Sequence, residues 1–567
     1  MTRLVNDAPK FARESIEGFV AAHPDELIEV SGGVVRAQAT APGEVAIMMG
    51  GGTGHYPAFA GWVGDGFGHG AACGNVFASP SEAQVLDVAR AARGDAGVLF
   101  VPINYAGDIL HFTAAAEQLR REGVDARLVA VTDDIASGPS GSHELRRGIA
   151  GSFLVIKVVG AAAALGYSLD DAERVARTAN VATRSFGVAF SGCTLPGSAG
   201  PLFGVPDGRM AVGLGIHGEP GISEAALGTA DEVADLLIDG LFSERAAVPG
   251  QRVAVLVNGL GATKYDELNL VFRQAQRRIE ASGMSLVAPV VGEQVTSLDM
   301  AGVSISLMVL DDELETLWLA PAHSASFTRL EPRVVERRSV RVASATGPDA
   351  VPGSAVSQAA AARLGIALNA AVDVLRVHEG DLGRLDSVAG DGDHGAGMVQ
   401  GATGGRDAAA KLIARGAGVG SALAAGGGGW SDSAGGASGA LWGSGLRAAG
   451  AVLGDEAEPD ASAIAAAVRA YADAVASRGG AVLGEKTMID AVLPFADRLE
   501  AEVASGQPIS PAWSAAAAAA TEAAVATAQL IAARGRSRTH GARSRGTSDP
   551  GAVSFALLVT ELAPKLT

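Results

Sequence analysis

Up to about residue 335, short β-rich apolar runs alternate with stretches in which apolar positions recur at helical spacing. The runs include EVAIMMG (44–50), GVLFVP (97–102), RLVAVTD (127–133), MAVGLGIHG (210–218), RVAVLVNG (252–259) and ISLMVLDD (305–312). Segments such as SEAQVLDVARAAR and FTAAAEQLRREG lie between several of them. This alternation predicts an α/β part with largely parallel sheets over 1–335. A polar passage, ERRSVRVASATGPDAVPGSA (336–355), reads as a linker. Beyond it the pattern changes. VSQAAAARLGIALNAAVDVL, DASAIAAAVRAYADAVAS and SPAWSAAAAAATEAAVATAQLIAAR are Ala-rich and helix-periodic, without convincing strands. Residues 356–567 are therefore expected to form an all-helical domain joined by Gly-rich loops.

Composition bounds the function. At 567 residues, 48% of them hydrophobic, the chain is long enough for two domains with their own cores. Two cysteines, Cys73 and Cys193, cannot frame a disulfide scaffold, so a reducing cytoplasm is the expected location. The opening MTRLVNDAPKF has no apolar signal core, and every long apolar run is interrupted, so neither a signal peptide nor a membrane span is expected. A formal net charge of −18 opposes a polyanionic partner, which argues against nucleic acid.

Open α/β sheets gather function beyond the carboxyl ends of their strands, and the polar residues fall there. Run 44–50 leads into GGGTGHYP with His55, and run 97–102 into INYAGD with Asn104 and Asp108. Run 127–133 ends at Asp133 and Asp134, and run 210–216 at His217 within GIHGEPG. One such histidine is usually a surface or satisfied core residue. Two histidines and an aspartate at equivalent strand ends, with glycines that let backbone approach a ligand, point instead to a small polar substrate.

The second half carries its own chemistry in LDSVAGDGDHGAGM (385–398). Asp386, Asp391 and Asp393 have the spacing D-x4-D-x-D, which is not that of an EF-hand. Carboxylates this close repel unless cations sit between them, and hard oxygen ligands suit Mg²⁺ shared with substrate phosphates. GGGGWSDSAGGASGALWGSG (426–445) reads as a glycine-rich turn opening an apolar helix, suited to phosphate oxygens. ARGRSRTHGARSRGTSDPGAVSF (533–555) adds an arginine-rich segment to an acidic chain. Together the three favour an ATP site over a solvated acidic turn and a flexible linker.

At this point the sequence resembles the dihydroxyacetone kinase family, in its single-chain ATP-dependent branch, which includes erythrulose kinases. The first half carries the likeness in GGGTGHYPAFAGWVG, GNVFASPS, NYAGD, AVTDD and GLGIHGEPG; the second in GDGDHGAGM, GGASGALWG, GEKTMIDAVLP and SDPGAVS. The resemblance implies a ketose-binding α/β domain and a helical barrel carrying Mg–ATP. It also implies a hemiaminal between the substrate carbonyl and His217, Asp108 as general base, and His55 hydrogen-bonding the substrate beside Gly51, Gly52, Thr53 and Gly54. In the barrel it implies magnesium on Asp386, Asp391 and Asp393. Nucleotide contacts are implied for His394, Gly395, Ala396, Gly397, Ser433, Gly436 and Ser438, and enclosure of base and ribose for Met488, Arg536, Asp549, Pro550 and Gly551. Transfer would occur across a homodimer, one chain's ATP domain covering the partner's ketose domain.

Three positions depart from the family pattern. Ile103 stands where a lysine usually precedes this motif, Ala106 where threonine is usual, and Gly397 where asparagine is common. Losing a substrate-side cation favours a hydroxymethyl-extended substrate, so erythrulose is expected over dihydroxyacetone. Two other readings stand beside the kinase: a ketose-binding regulator without turnover, and a kinase whose bound nucleotide is rephosphorylated by a phosphotransferase-system protein. Regulators of that kind should lack His217 or a metal aspartate, and the second branch keeps its domains on separate chains.

Overall fold

The computed structural model describes residues 2–219, 221–331, 352–534, 538, 541–542 and 544–563. It divides into two compact units, Met1–Arg337 and Arg338–Thr567.

The first unit is built on two sheets. One has the strand order Leu27–Val30, Gly33–Arg36, Gly70–Val76, Ala46–Thr53, Val98–Phe100, Ala126–Leu128. The central strand Ala46–Thr53 runs parallel to both neighbours, with Met49 opposite Ala71 and Ala46 opposite Val98. It is buried along almost its whole length because both faces are covered. On one side the helices Glu82–Ala92 and Ala106–Arg121 supply Val85, Val88, Phe112 and Leu119. On the other, the helix Ser152–Ala164 is apolar on every face except for Ser152 and Lys157 and is buried from Ser152 to Ala163, as a helix inside a large core must be. Helix starts are written locally: Ser81 and Gln84 form a capping box ahead of Glu82–Ala92.

The second sheet has the order Ser223–Ala226, Arg209–Val212, Thr183–Ala189, Gly302–Leu310, Arg252–Gly259, Ser285–Leu286, with Val290–Gly292 also on Arg252–Gly259. The expectation of largely parallel sheets fails here. The four pairings from Ser223–Ala226 across to Arg252–Gly259 are antiparallel, and only the short strands Ser285–Leu286 and Val290–Gly292 pair parallel. Pairing direction is set by the connections, and Thr183–Ala189 reaches Arg209–Val212 through a loop instead of a crossover helix.

Among the described residues, the second unit has long helices at Ala355–Asp386, His394–Ile413, Val419–Ala434, Gly436–Leu453, Ala461–Gly479, Ile489–Ala504, Ile509–Ala526 and Pro550–Leu562. Each packs on the next, and the last packs on the first. The supposed linker lies mostly outside the described residues; its last residue, Ala355, already begins a helix capped by Ser354. The run Gly426–Gly429 is not a turn but part of the helix Val419–Ala434. The turn is confined to Gly435 and Gly436, at φ 58° and 56°. The glycines inside the helix serve close packing: a Cβ at Gly427 would lie 2.8 Å from the Gly443 carbonyl, and one at Gly429 would collide with the Gly404 carbonyl.

Candidate functional sites in the two units

In the first unit, strand ends bring His55 and His217 together. His55 follows Ala46–Thr53 and is fully buried; His217 follows Arg209–Val212 of the other sheet. Their Nε2 atoms are 3.0 Å apart. His55 Nδ1 lies 2.7 Å from the Thr296 carbonyl oxygen, and His217 Nδ1 lies 3.2 Å from Glu219 Oε1. Aromatic rings hold the pair. Phe77 stacks on His55 at 4.8 Å, and Tyr105 meets His217 edge-on at 4.7 Å. Burial, with the neighbouring His217, pushes the His55 imidazole down to about 3, so it is neutral.

Asp108 sits in the first turn of the helix Ala106–Arg121, almost wholly buried. Its Oδ1 has no hydrogen-bond partner, and burial raises the carboxyl to about 6. A buried carboxylate oxygen without a donor is costly, so the position suits a group that takes a proton from a ligand. The glycines beside His55 are shaped by packing. A Cβ at Gly51 would strike the Phe59 ring and one at Gly52 would lie 2.7 Å from Ala78 N, while Gly54 has φ 102°. Thr53 Oγ1 donates to the Gly74 carbonyl at 2.6 Å.

Other strand-end polar residues are structural. Asp133 turns inward and accepts from the backbone N–H groups of Ile149 and Gly151. Asn104 donates to the carbonyls of Arg146 and Glu144. Ile103 is buried in the core. Sequence reasoning passed over Glu219 and Thr296. Glu219 stands two residues after His217 in a motif already singled out, so a signal was present. Thr296 is 241 residues from His55 and carries none.

In the second unit, Asp386 ends the helix Ala355–Asp386, while Asp391 and Asp393 precede His394–Ile413. One oxygen from each carboxylate lies within 4.8 Å of the others. The turn between them is made for this approach: Gly392 has φ 80° and donates its N–H to Asp386 Oδ2 at 2.9 Å, and a side chain at Gly390 would press on Asp386 Oδ1. An all-oxygen, all-carboxylate set fits Mg²⁺. His394 Nε2 lies 2.9 Å from Ser554 Oγ, which donates to the Gly551 carbonyl. Gly395 lets that helix approach the Glu379 carbonyl, while Ala396 and Gly397 are half-buried beyond it.

Asp549 caps the helix Pro550–Leu562 through Ala552 N, and burial raises its carboxyl to about 7. Met488 backs Gly551, whose added Cβ would lie 3.2 Å from Met488 Cβ. The aspartates, His394 and the turn Asp549, Pro550 and Gly551 thus form one connected cluster. Ser433, Gly436 and Ser438 stand around the turn at Gly435, with Ser433 and Gly436 exposed. Arg536 lies outside the described residues. Two nearby arginines have structural partners: Arg534 pairs with Glu485, and Arg545 donates to the Gln529 carbonyl. Among the described residues no helix is long and apolar enough to cross a membrane.

The chain matches the Dak1 domain over residues 17–326 and the DAK2 domain over residues 388–564. It is 50% identical over 573 residues to the D-erythrulose kinase of Mycolicibacterium smegmatis, covering 100% of this chain and 99% of that one. It is 49% identical over 575 residues to the L-erythrulose 1-kinase of the same organism, covering 100% of both. A crystal structure of the dihydroxyacetone kinase from C. freundii in complex with AMP-PNP and Mg²⁺ superposes with a TM-score of 0.59, at 30% identity, covering 99% of each chain.

Proposed function

The chain belongs to the dihydroxyacetone kinase family, and from that membership we propose that it phosphorylates a terminal hydroxyl of erythrulose held covalently on His217. Its activity is ATP-dependent phosphoryl transfer to a short ketose. The observation that carries the covalent reading is the 3.0 Å approach of the two imidazoles beside a buried, half-satisfied Asp108.

His217 Nε2 adds to the substrate carbonyl, and His55 Nε2 moves the proton that this addition displaces. The adduct fixes a small, flexible sugar in one orientation. Asp108 takes the proton from the terminal hydroxyl as its oxygen bonds to the γ-phosphorus and the bond to the ADP oxygen breaks. Asp386, Asp391 and Asp393 would hold Mg²⁺, which neutralises phosphate charge when bound. His394, Asp549, Pro550 and Gly551 position the nucleotide beside them, and the ring of consecutive helices is read as the expected barrel. We assign residues 1–335 to the ketose and 356–567 to the nucleotide, working across a homodimer.

Erythrulose is preferred over dihydroxyacetone because two erythrulose kinases match the chain over its full length at 50% and 49% identity, while Ile103, where the family usually has a lysine, is packed in the core. Both named erythrulose kinases are nearly equally similar to the chain, so identity does not choose the stereoisomer. A panel of short ketoses with Mg–ATP, followed by His217→Ala on the best substrate, tests the proposal. Erythrulose should give the highest kcat/KM, and the variant should lose about a thousandfold or more in turnover while still binding ATP. Undiminished turnover in His217→Ala would remove the covalent step.

A further inference from the structure

We infer that Glu219 is a positioning residue for the nucleophile: its carboxylate holds the proton of His217 on Nδ1, leaves Nε2 to carry the reactive lone pair, and balances the cation that forms when Nε2 bonds to carbon. The inference deepens the covalent ketose-kinase reading and rests on it.

The proton inventory follows from what each nitrogen faces. A carbonyl oxygen only accepts, so His55 Nδ1, 2.7 Å from the Thr296 carbonyl, carries hydrogen. A carboxylate also only accepts, so His217 Nδ1, 3.2 Å from Glu219 Oε1, carries hydrogen as well. The two Nε2 atoms, 3.0 Å apart, then need one proton between them. Three protons on two imidazoles make the pair a monocation, and Glu219 is the carboxylate hydrogen-bonded to it.

The carboxylate is itself fixed. Its Oε2 accepts from the His217 backbone N–H at 3.0 Å and lies 3.8 Å from Arg147 Nη1. Gly215 leaves the space, since a Cβ there would collide with Glu219 Oε2. Burial alone would raise this carboxyl, but the hydrogen bond and charge of His217 hold it down at about 2, so it is ionised. Arg147 is pinned in turn by Asp134 at 2.9 Å, which gives that strand-end aspartate its purpose.

The covalent step balances within this set. The shared proton passes to His55 Nε2, and the His217 Nε2 lone pair forms the N–C bond to the ketone carbon. The carbonyl π pair moves to oxygen, which takes the proton from His55 Nε2, and His55 returns to its neutral form. The positive charge stays on the Nε2-substituted ring, whose Nδ1–H still donates to Glu219. No proton is exchanged with solvent. A glutamine at this position has one acceptor oxygen for two N–H donors. Either the His217 backbone N–H or Nδ1 then faces an amide NH₂, and the second case drives the proton to Nε2 and removes the lone pair.

The test uses the full chain as wild type, Glu219→Gln and Glu219→Asp, with dihydroxyacetone labelled with ¹³C at its carbonyl carbon as probe. Wild type should show the His217 ¹⁵N signature of a protonated Nδ1 bonded to carboxylate, and a tetrahedral ¹³C signal on adding the ketose. Glu219→Gln should lose that signal and about a hundredfold or more in kcat/KM for the ketose, with KM for ATP unchanged; Glu219→Asp should recover part of both. A glutamine variant that forms the adduct and turns over within about threefold of wild type overturns the inference and leaves the kinase reading intact. So does wild-type His217 protonated only on Nε2, a result independent of whether the glutamine variant folds. Active wild type without a tetrahedral signal sinks the covalent reading itself, and this inference with it.

Discussion

Asp108 and Lys157 are both ionisable groups removed from water, and burial moves them in opposite directions. Asp108 is raised to about 6, and in the base role proposed for it the carboxyl works only when ionised. The kcat/KM for the ketose should therefore climb through pH about 6 and level off above it. An acid limb centred near the ordinary aspartate value would take the role from Asp108. Lys157 is fully buried in the helix Ser152–Ala164, with one hydrogen bond, from Nζ to the Leu317 carbonyl at 3.0 Å. Burial, with the Arg329 charge, lowers it to about 7. Between about pH 7 and the ordinary lysine value the unfolded chain binds more protons than the folded one, so this group makes stability rise with pH across that window. Lys157→Met should stabilise the protein by about 1–4 kcal/mol at neutral pH and flatten that rise. A lower Tm in thermal unfolding would count against it.

At the scale of elements, loops are held by single buried groups that no periodicity announces. The Lys486 ammonium donates to the carbonyls of Leu530 at 3.3 Å, Ser544 at 2.5 Å and Thr547 at 2.6 Å. Asp490 accepts from Gly484 N and Thr487 N, so the turn before Ile489–Ala504 is laced to the approach to Pro550–Leu562. Lys486→Met should raise KM for ATP about tenfold or more and leave KM for the ketose unchanged, because three carbonyls lose their donor beside the Asp549 turn. Equal changes in both constants would deny the residue a local role. Helix existence was readable here from Ala-rich periodicity, and caps such as Ser81, Ser354 and Asp460 were readable in their local sequence. The glycine run at 426–429 was not, since glycine serves a turn and a close helix crossing equally well, and only the neighbouring backbone distinguishes them.

At the scale of the whole molecule, the two units have separate cores, and the proposed function gives ketose chemistry to one and nucleotide chemistry to the other. Removing divalent cations with a chelator should abolish turnover yet leave the tetrahedral ketose adduct in place, because the carboxylates of the second unit take no part in carbon–nitrogen bond formation. Loss of the adduct on chelation, read by ¹³C spectroscopy, would refute that separation.

The amino-acid sequence by itself determined the two-part grammar, the placement of His55, Asp108 and His217 in the segments that follow strands, and the crowding of Asp386, Asp391 and Asp393. These are local properties, set by periodicity and by spacing of a few residues. Only the tertiary structure decided that the second sheet is mostly antiparallel, that His55 rests on Thr296, and that His217 faces His55 through Nε2 and Glu219 through Nδ1. Those outcomes depend on which segments far apart in the chain share a core, and packing, which has no sequence period, chooses them.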